Sequence, residues 1–194
     1  LMCLAPVHLR SGCNGLENYR SCLMSLNNYL KKGLQQSDDR ADHCISIGKD
    51  GEALFKELTG AIKSELEDDK KHIDFYWDGK CIDVKGLKPM HKYGFILLEF
   101  LNVWGYHGWC AKDSKAEYIA FQFPDRFYIF KKDDLRNRVI EKCEKYSPEV
   151  VLRKNRVKPS QGLYKWIGRF GKQDVFTYLR IEDVQDLLIQ EIKY

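Results

Sequence analysis

Apolar residues recur at intervals of three and four positions in two early stretches of the chain, which is the spacing of one helix face. The first stretch covers residues 16–34, with Leu16, Tyr19, Leu23, Leu26 and Leu30. The second begins after Asp50, whose side chain can cap the free N–H groups of a first helical turn; its apolar positions are Leu54, Phe55, Leu58, Ile62 and Leu66. We predict a helix over residues 16–34 and a second from Asp50 into the charged stretch 65–71.

Between these two helices, residues 35–42 are polar and acidic, which is typical of a linker. Residues 1–14, with Pro6 and Gly12, show no periodicity and are interpreted as an irregular arm. We therefore divide the chain into an N-terminal appendage, residues 1–42, and a main domain, residues 43–194.

Beyond residue 71 the spacing of apolar residues falls from about 3.6 to about 2, the period of a strand. Residues 72–77 and 80–85 are separated by Asp78-Gly79, a pair typical of a two-residue hairpin turn. Further strands are predicted over residues 93–104, 117–123, 126–131, 163–167 and 175–179, and helices from Asp133 to about residue 145 and from Asp183 onward. The predicted fold class is α/β of the α+β type, with a mixed, largely antiparallel central sheet flanked by helices.

The composition is that of a folded chain. Its 194 residues are 44% hydrophobic, which fits one ordinary domain or a domain with a small appendage and excludes a largely disordered protein. No apolar run approaches the ~18 residues that a membrane span needs, so we expect no membrane segment and no membrane partner. A net charge of +4 is compatible with a polyanionic partner but does not require one.

The seven cysteines are scattered, and no two stand at C-x-x-C spacing. An odd number without paired spacing argues against a disulfide framework and against a cysteine-rich zinc site. The apolar residues 1–7 are too short for the hydrophobic stretch of a secretion signal. We expect the cytoplasm or another reducing intracellular compartment.

The hairpin register places two acids opposite each other. With Asp78-Gly79 as the loop, Trp77 pairs with Lys80 and Asp74 falls opposite Asp83, while Lys85 stands one pleat from Asp83 on the same face. Opposed side chains have Cβ atoms about 4.5–5.5 Å apart, and like charges there are destabilising unless they are compensated. A divalent cation would compensate them. The alternative is a solvated hairpin face that carries alternating charges.

These residues resemble a known family. The chain resembles the PD-(D/E)-x-K nuclease superfamily in the order of a helix, Asp74, a short hairpin and Asp83-Val84-Lys85. Ile73 replaces the proline of the family name. The resemblance implies a restriction-endonuclease-like core and a site for Mg²⁺, with Mn²⁺ as an alternative ion. It implies that Asp74 and Asp83 are the metal ligands and that Lys85 orients the attacking water or stabilises charge on the phosphate.

Shorter segments are similar to uncharacterised viral, especially phage, members of this superfamily. They run from Gly51 to the C-terminus and include Gly51-Glu52, Asp83-Val84-Lys85-Gly86, Leu98-Glu99, Gly108-Trp109 and Arg169 with Asp174 and Thr177. For a viral protein, the expected compartment is the host cytoplasm.

Two further acids are candidates for the site. The resemblance implies a helical glutamate as a third metal ligand, and Glu52 and Glu57 are the two candidates. Glu52 matches the resemblance better. The alternative is that Glu52, as an acid in a first helical turn, only complements the helix dipole. Glu99 lies within an apolar segment, where burial would require a partner. Lys85, the metal or a C-terminal arginine could pair with Glu99, and we count it among the catalytic candidates; a solvent-facing strand position is the alternative.

Cations and aromatic residues are interleaved near the C-terminus, as they are on phosphate-contacting surfaces. We predict nucleic-acid contacts from Arg153, Lys154, Arg156, Lys158, Lys165, Arg169 and Lys172. The alternative is an ordinary solvated surface. His72 is interpreted as a neighbour of the site rather than a zinc ligand, and Trp104 and Trp109 as core residues more than loop residues.

The leading functional hypothesis is a Mg²⁺-dependent endonuclease that hydrolyses phosphodiester bonds of DNA, either as a monomer or as a homodimer. One alternative is a nuclease of the same fold that acts on RNA or on branched DNA. The other is a non-catalytic nucleic-acid-binding protein on a nuclease fold.

Overall fold

The computed structural model describes residues 39–69, 71–146 and 149–194. The helices of this part are α1 (Asp39–Thr59), α2 (Leu66–Asp69) and α3 (Lys132–Tyr146), with short 3₁₀ helices at Pro89–Tyr93, Pro159–Gln161 and Ile181–Leu187. The strands are β1 (Ile62–Lys63), β2 (Phe75–Trp77), β3 (Lys80–Lys85), β4 (Phe95–Leu101), β5 (Tyr118–Gln122), β6 (Arg126–Lys131), β7 (Val151–Arg153), β8 (Ile167–Arg169), β9 (Val175–Arg180) and β10 (Leu188–Lys193).

These strands form two sheets. The six-stranded sheet has the order β1-β2-β3-β5-β6-β10, and the four-stranded sheet has the order β4-β9-β8-β7. Neighbouring strands are antiparallel except for β3 with β5 and β7 with β8. The predicted α+β class with largely antiparallel strand pairing is confirmed, although the strands form two sheets rather than one central sheet.

The hairpin formed by β2 and β3 has the predicted register. Trp77 pairs with Lys80, Tyr76 with Cys81 and Phe75 with Ile82. Asp78 and Gly79 have φ values of 50° and 71°, as a type I′ turn requires at both central positions. Strand β2 begins at Phe75 rather than at the predicted residue 72, because His72 itself has a φ of 64° and cannot lie in extended backbone.

Helix α1 covers one face of the six-stranded sheet. Phe55 is fully buried, and its ring centroid lies 5.9 Å from that of Phe75 and 5.3 Å from that of Phe127. Ile82 and Val84 belong to the same apolar cluster. The alternation of β3 therefore directs its apolar side chains to α1 and leaves Asp83 and Lys85 on the opposite face.

The helix boundaries correct two predictions. Residues 39–42 are helical and not a linker, so Asp50 lies inside α1 and does not cap its start. The helix also ends at Thr59, before the predicted charged stretch, because Gly60 adopts a φ of 67° and donates its N–H to the Lys56 carbonyl. The predicted helix over residues 16–34 lies outside the described residues, and the division at residue 42 remains a prediction.

The C-terminal segment is a strand, and the helix predicted from Asp183 is wrong. A 3₁₀ helix ends at Leu187, and β10 then pairs antiparallel with β6, with Ile192 opposite Phe127. Ile192 packs against the apolar cluster under α1. Pairing with β6 and this burial outweigh the helical spacing of the short apolar pattern.

Two other strands are displaced from their predicted positions. Strand β8 covers Ile167–Arg169, so the predicted strand over residues 163–167 is wrong for all but its last residue. Strand β4 ends at Leu101, and the following residues form a loop. Among the described residues, no helix is both long and apolar enough to cross a membrane.

A close approach of two backbones sets α1 against the end of β3. A Cβ atom on Gly51 of the helix would lie 2.7 Å from the Cα of Gly86, and one on Gly86 would lie 2.2 Å from the Ile47 carbonyl oxygen. These distances leave no room for a side chain at either position. The two glycines thereby bring residue Glu52 to the end of the hairpin.

Replacing Gly51 with Ala should lower the free energy of unfolding by about 1–3 kcal/mol, since the new methyl group must push the helix off β3. Gly48→Ala is the matched control in the same helix, because a Cβ there meets nothing within 4 Å; it should be neutral or stabilising by up to about 1 kcal/mol. Denaturant unfolding of the two variants measures the difference. Equal stability of the two would show that the contact between Gly51 and Gly86 is not tight.

Candidate active site

A cavity of about 260 Å³ opens at the end of the six-stranded sheet where β2 begins and β3 ends. Acidic and basic side chains converge there from three parts of the chain. These are α1, the segment before β2, and β3 with the residues that follow it. Its lining consists of Ile47, Gly48, Glu52, Asp69, His72, Asp74, Asp83, Val84, Lys85, Gly86 and Lys88. The hairpin thus brings together the three residues of the predicted motif, Asp74, Asp83 and Lys85.

Asp74 is fixed across the hairpin by backbone contacts. Its N–H donates to the Ile82 carbonyl at 2.9 Å, and its Oδ2 accepts the Val84 N–H at 2.7 Å. The residue is only 7% exposed. The hairpin register therefore continues one residue beyond β2, which places Asp74 opposite Asp83.

Asp83 is the most buried charged group of the cavity, with 2% of its surface exposed. Its Oδ1 lies 2.7 Å from the Nζ of Lys85, whereas its Oδ2 is buried without a hydrogen-bond partner among the described residues. Burial raises the pKa of Asp83 well above its usual value; the attraction of Lys85 opposes this rise, and the neighbouring Asp74 adds to it.

Lys85 lies on the same face of β3 as Asp83, and 19% of its side chain is exposed. Burial by itself lowers the pKa of Lys85, but the attraction of Asp83, Asp74 and Glu99 outweighs burial, so that the pKa is raised. Its Nζ also lies 5.2 Å from the centre of the Trp109 ring. Lys85 is therefore a charged, well-held ammonium group at neutral pH.

Glu99 reaches this group from the other sheet. It lies on β4 opposite Phe176 of β9, and it does not line the cavity. Burial raises the pKa of Glu99, and the nearby cations Lys85, Lys88 and Arg169 counteract part of this rise. Lys85 and a C-terminal arginine, Arg169, thus act on Glu99 as expected. Glu99 is therefore not a solvent-facing strand residue.

Charges of both signs meet in this cluster. The carboxyl groups of Asp74, Asp83 and Glu99 all act on the ammonium group of Lys85, and burial weakens the screening of these charges by water. Other cations nearby also act on Asp74 and Glu99. Burial is the largest cause of the raised pKa of Asp83 and of Glu99, so their charged forms are disfavoured unless a positive charge compensates them.

Of the two competing helical glutamates, Glu52 lines the cavity, and Glu57 is exposed outside it. A lysine that the sequence analysis missed, Lys63 on β1, connects Glu52 to the acids. Its Nζ lies 2.6 Å from the Glu52 Oε2 and 4.0 Å from the Asp74 Oδ1. Lys63 gave no signal in the sequence because its role depends on β1 pairing with β2.

His72 lines the cavity, as a neighbour of the acids. Its Nε2 lies 3.3 Å from the His107 carbonyl oxygen, which can only accept, so this nitrogen carries the proton. Burial and the positive charge of Lys85 lower the pKa of His72, which favours a neutral ring at neutral pH. Trp109 is buried as expected, but Trp104 is exposed, and its assignment to the core is wrong.

None of the seven predicted nucleic-acid-binding cations lines the cavity. Arg153 on β7 is paired with Arg169 on β8, so both lie on the four-stranded sheet. Arg169 donates from its Nε to the Oδ2 of the buried Asp174 at 2.6 Å, and it acts electrostatically on Glu99. Lys172 is half-buried, and the other six members of the set are exposed: Arg153, Lys154, Arg156, Lys158, Lys165 and Arg169.

The donor set fits a hard divalent cation in part. Carboxylate oxygens are the ligands that Mg²⁺ prefers, and the Asp83 Oδ2 is such an oxygen, buried without a partner beside Asp74. Within residues 39–69, 71–146 and 149–194, however, no three His, Cys, Asp or Glu side chains stand close enough together to hold a metal ion. Two acids are in place, while the third, Glu52, is paired with Lys63.

Comparisons with protein-family models, with curated proteins and with solved structures found no match to this chain.

Asp83→Asn should raise the free energy of unfolding of the metal-free protein at pH values above the raised pKa of Asp83, because the amide carries no charge to bury and Asp74 and Glu99 still act on Lys85. We expect a gain of about 1–2 kcal/mol, the size of one unsatisfied buried polar group. Asp78→Asn is the control on the same hairpin, since Asp78 is exposed in the turn and tolerates Asn there. Denaturant unfolding in EDTA measures both variants.

The gain should depend on pH. Because the folded-state pKa of Asp83 is raised, the wild-type folded state binds more protons than the unfolded state below that pKa. The penalty is complete above the raised pKa and disappears as the pH falls through it, so the advantage of Asn should shrink in acid. A constant advantage at all pH values would contradict the buried-charge explanation.

Proposed function

We propose that this protein is a metal-dependent nuclease that hydrolyses phosphodiester bonds of DNA. The observation that carries the proposal is the pair of buried, adjacent carboxyl groups, Asp74 and Asp83, with Lys85 on one oxygen of Asp83 and no partner on the other. Two acids and a lysine on one hairpin face are also the residues that the family resemblance implies. The cavity beside them opens to solvent, so a phosphate group can reach them.

Asp74 and Asp83 would hold Mg²⁺ or Mn²⁺, with Glu52 available as a third ligand on release from Lys63. When bound there, such an ion lowers the pKa of a water molecule and neutralises charge on the phosphate. The chain supplies the rest of the chemistry. Hydrogen bonds from the hairpin backbone hold Asp74 in place, so the site is organised before substrate binds.

Lys85 is the group that would contact the substrate. Its Nζ is held by Asp83 at 2.7 Å, and its raised pKa keeps it charged. An ammonium group in this position can donate to the attacking water or to a non-bridging phosphate oxygen, where negative charge increases in the transition state. Glu99, behind Lys85 on the second sheet, helps to keep this charge in place.

Replacing Lys85 with Ala should reduce Mg²⁺-dependent cleavage by at least about 100-fold, the usual effect of removing one group that stabilises transition-state charge. Lys80→Ala is the matched control on the same strand; Lys80 lies over the Trp77 ring at the turn end of the hairpin, and its removal should leave the rate unchanged. The assay uses supercoiled, linear and single-stranded DNA and RNA, each with Mg²⁺ or with EDTA. Cleavage at the wild-type rate by Lys85→Ala, or no cleavage of any substrate by the wild type, would contradict the proposal.

Mg²⁺ should also raise the melting temperature of the wild-type protein by several degrees, because a ligand that binds only the folded state stabilises it by mass action. Asp83→Asn should lose most of this shift. Glu52→Gln should lose part of it, whereas Glu57→Gln, an exposed position in the same helix, should keep all of it. An equal Mg²⁺ response in the wild type and in Asp83→Asn would place the bound ion away from this cavity.

A further inference from the structure

Three large aromatic side chains are exposed on two neighbouring loops. Trp104 is 67% exposed, Tyr106 is 71% exposed and Phe170 is 64% exposed. The first two belong to residues 102–107, here called the aromatic loop, and Phe170 belongs to the turn between β8 and β9. Exposed aromatic rings at such short spacing are unusual on a protein surface unless a partner covers them.

The aromatic loop has a fixed conformation. The Asn102 side chain accepts the N–H groups of both Trp104 and Tyr106 at 3.0 Å, and the Asn102 N–H donates to the Tyr106 carbonyl at 2.9 Å. Leu101 and His107 form a β-bridge that closes the loop. The two rings are therefore presented on an ordered backbone, which reduces the entropy lost when a ligand binds them.

The two loops are in direct contact. The Gln173 N–H donates to the Val103 carbonyl, and a Cβ atom on Gly105 would lie 2.1 Å from the Gln173 side-chain oxygen. Gln173 follows Phe170 by three residues in the same turn. The two loops that carry the three aromatic side chains are therefore direct neighbours.

Four cations belong to the segments next to Phe170, and we call Arg153, Lys154, Arg169 and Lys172 the basic edge. The Lys154 Nζ lies 5.3 Å from the centre of the Phe170 ring. Arg169 donates a hydrogen bond from its Nε to the buried Asp174. In the described part of the chain no second side chain is hydrogen-bonded to its guanidinium group, so its terminal nitrogens can contact a phosphate. The basic edge matches a negatively charged ligand.

The aromatic loop also reaches the catalytic cavity. The His107 carbonyl at the end of the loop contacts His72, which lines the cavity. Two residues further on, Trp109 lies over Lys85, and the Cys110 N–H donates to the Glu99 carbonyl. The loop that carries the exposed rings is therefore continuous in sequence with residues that contact His72 and Lys85.

We propose that the aromatic loop and Phe170 stack the unpaired bases of a single-stranded nucleic acid, while the basic edge contacts its phosphates. Every base has an apolar face that an aromatic ring can cover, and a duplex keeps these faces inside its own stack. Exposed rings combined with cations therefore favour a single strand over a duplex. The inference rests on the proposed nuclease function, because it assigns to that site a substrate with unpaired nucleotides.

The experiment measures binding of the full chain in EDTA, which prevents cleavage, by fluorescence anisotropy at one fixed salt concentration. The probes are an oligothymidylate, an abasic strand of equal length, an oligouridylate and a blunt DNA duplex. We expect the oligothymidylate to bind at least about fivefold more tightly than the abasic strand, since each stacked base contributes a comparable factor. Comparison with the oligouridylate distinguishes DNA from RNA as the strand.

Two variants should weaken oligothymidylate binding by about fivefold or more and leave abasic-strand binding unchanged. One is the double variant Trp104→Ala with Tyr106→Ala, and the other is Phe170→Ala. Tyr93→Ala is the matched control, because Tyr93 is 78% exposed but precedes β4, whereas the aromatic loop follows that strand. All four positions are exposed, so the variants should fold. Oligothymidylate should also quench tryptophan emission in the wild type, and this quenching should be lost in Trp104→Ala.

Any one of four results would overturn the proposal. They are equal binding of the oligothymidylate and the abasic strand, tighter binding of the duplex, binding by the double variant that equals that of Tyr93→Ala, and the absence of binding to every probe. Failure of the nuclease proposal gives a different result. Base-dependent binding without Mg²⁺-dependent cleavage would support the stacking surface and contradict only the proposed hydrolysis.

Discussion

The burial of two neighbouring carboxyl groups on one hairpin face is the interaction on which the rest of the site depends. Asp74 and Asp83 face each other because a two-residue turn fixes the hairpin register. The Val84 N–H of β3 holds the Asp74 side chain in this position. Lys85 pairs with one oxygen of Asp83, and the other oxygen is buried without a hydrogen-bond partner among the described residues. Buried carboxyl groups with shifted pKa values are typical of functional sites.

The two sheets contribute different parts of the site. The six-stranded sheet supplies the acids and Lys85, and helix α1 adds Glu52 through the close contact at Gly51. The four-stranded sheet supplies Glu99 and Arg169, and the loop that follows β4 supplies the exposed rings. Because His107 and Trp109 of that connection contact His72 and Lys85, the proposed stacking surface would adjoin the proposed hydrolytic site.

The sequence predicts the local part of this arrangement well. Asp78-Gly79 fixes its hairpin by turn chemistry alone, and the alternation of β3 then determines which side chains share a face with Asp83. Helix α3 and strand β6 were also predicted within about one residue, since their apolar spacing is regular.

Features that depend on long-range contacts were not predictable in this way. Ile192 lies in a strand because β6 offers it a partner 65 residues away in sequence, at Phe127. The role of Lys63 depends on a two-residue strand, and the exposure of Trp104 depends on a loop that Asn102 closes. Residues 39–42 are polar yet helical, and polarity alone does not distinguish a linker from a solvated helix end.

The proposed hydrolysis requires that the hairpin carboxyl groups bind a divalent cation. Cation binding can be observed directly in an anomalous-scattering map from a crystal of the full chain soaked in Mn²⁺. We expect a peak about 2.0–2.5 Å from carboxylate oxygens of both Asp74 and Asp83, the coordination distance of hard cations. A map in which Mn²⁺ binds elsewhere, or in which the Asp83 Oδ2 has no ion within that distance, would contradict this proposal.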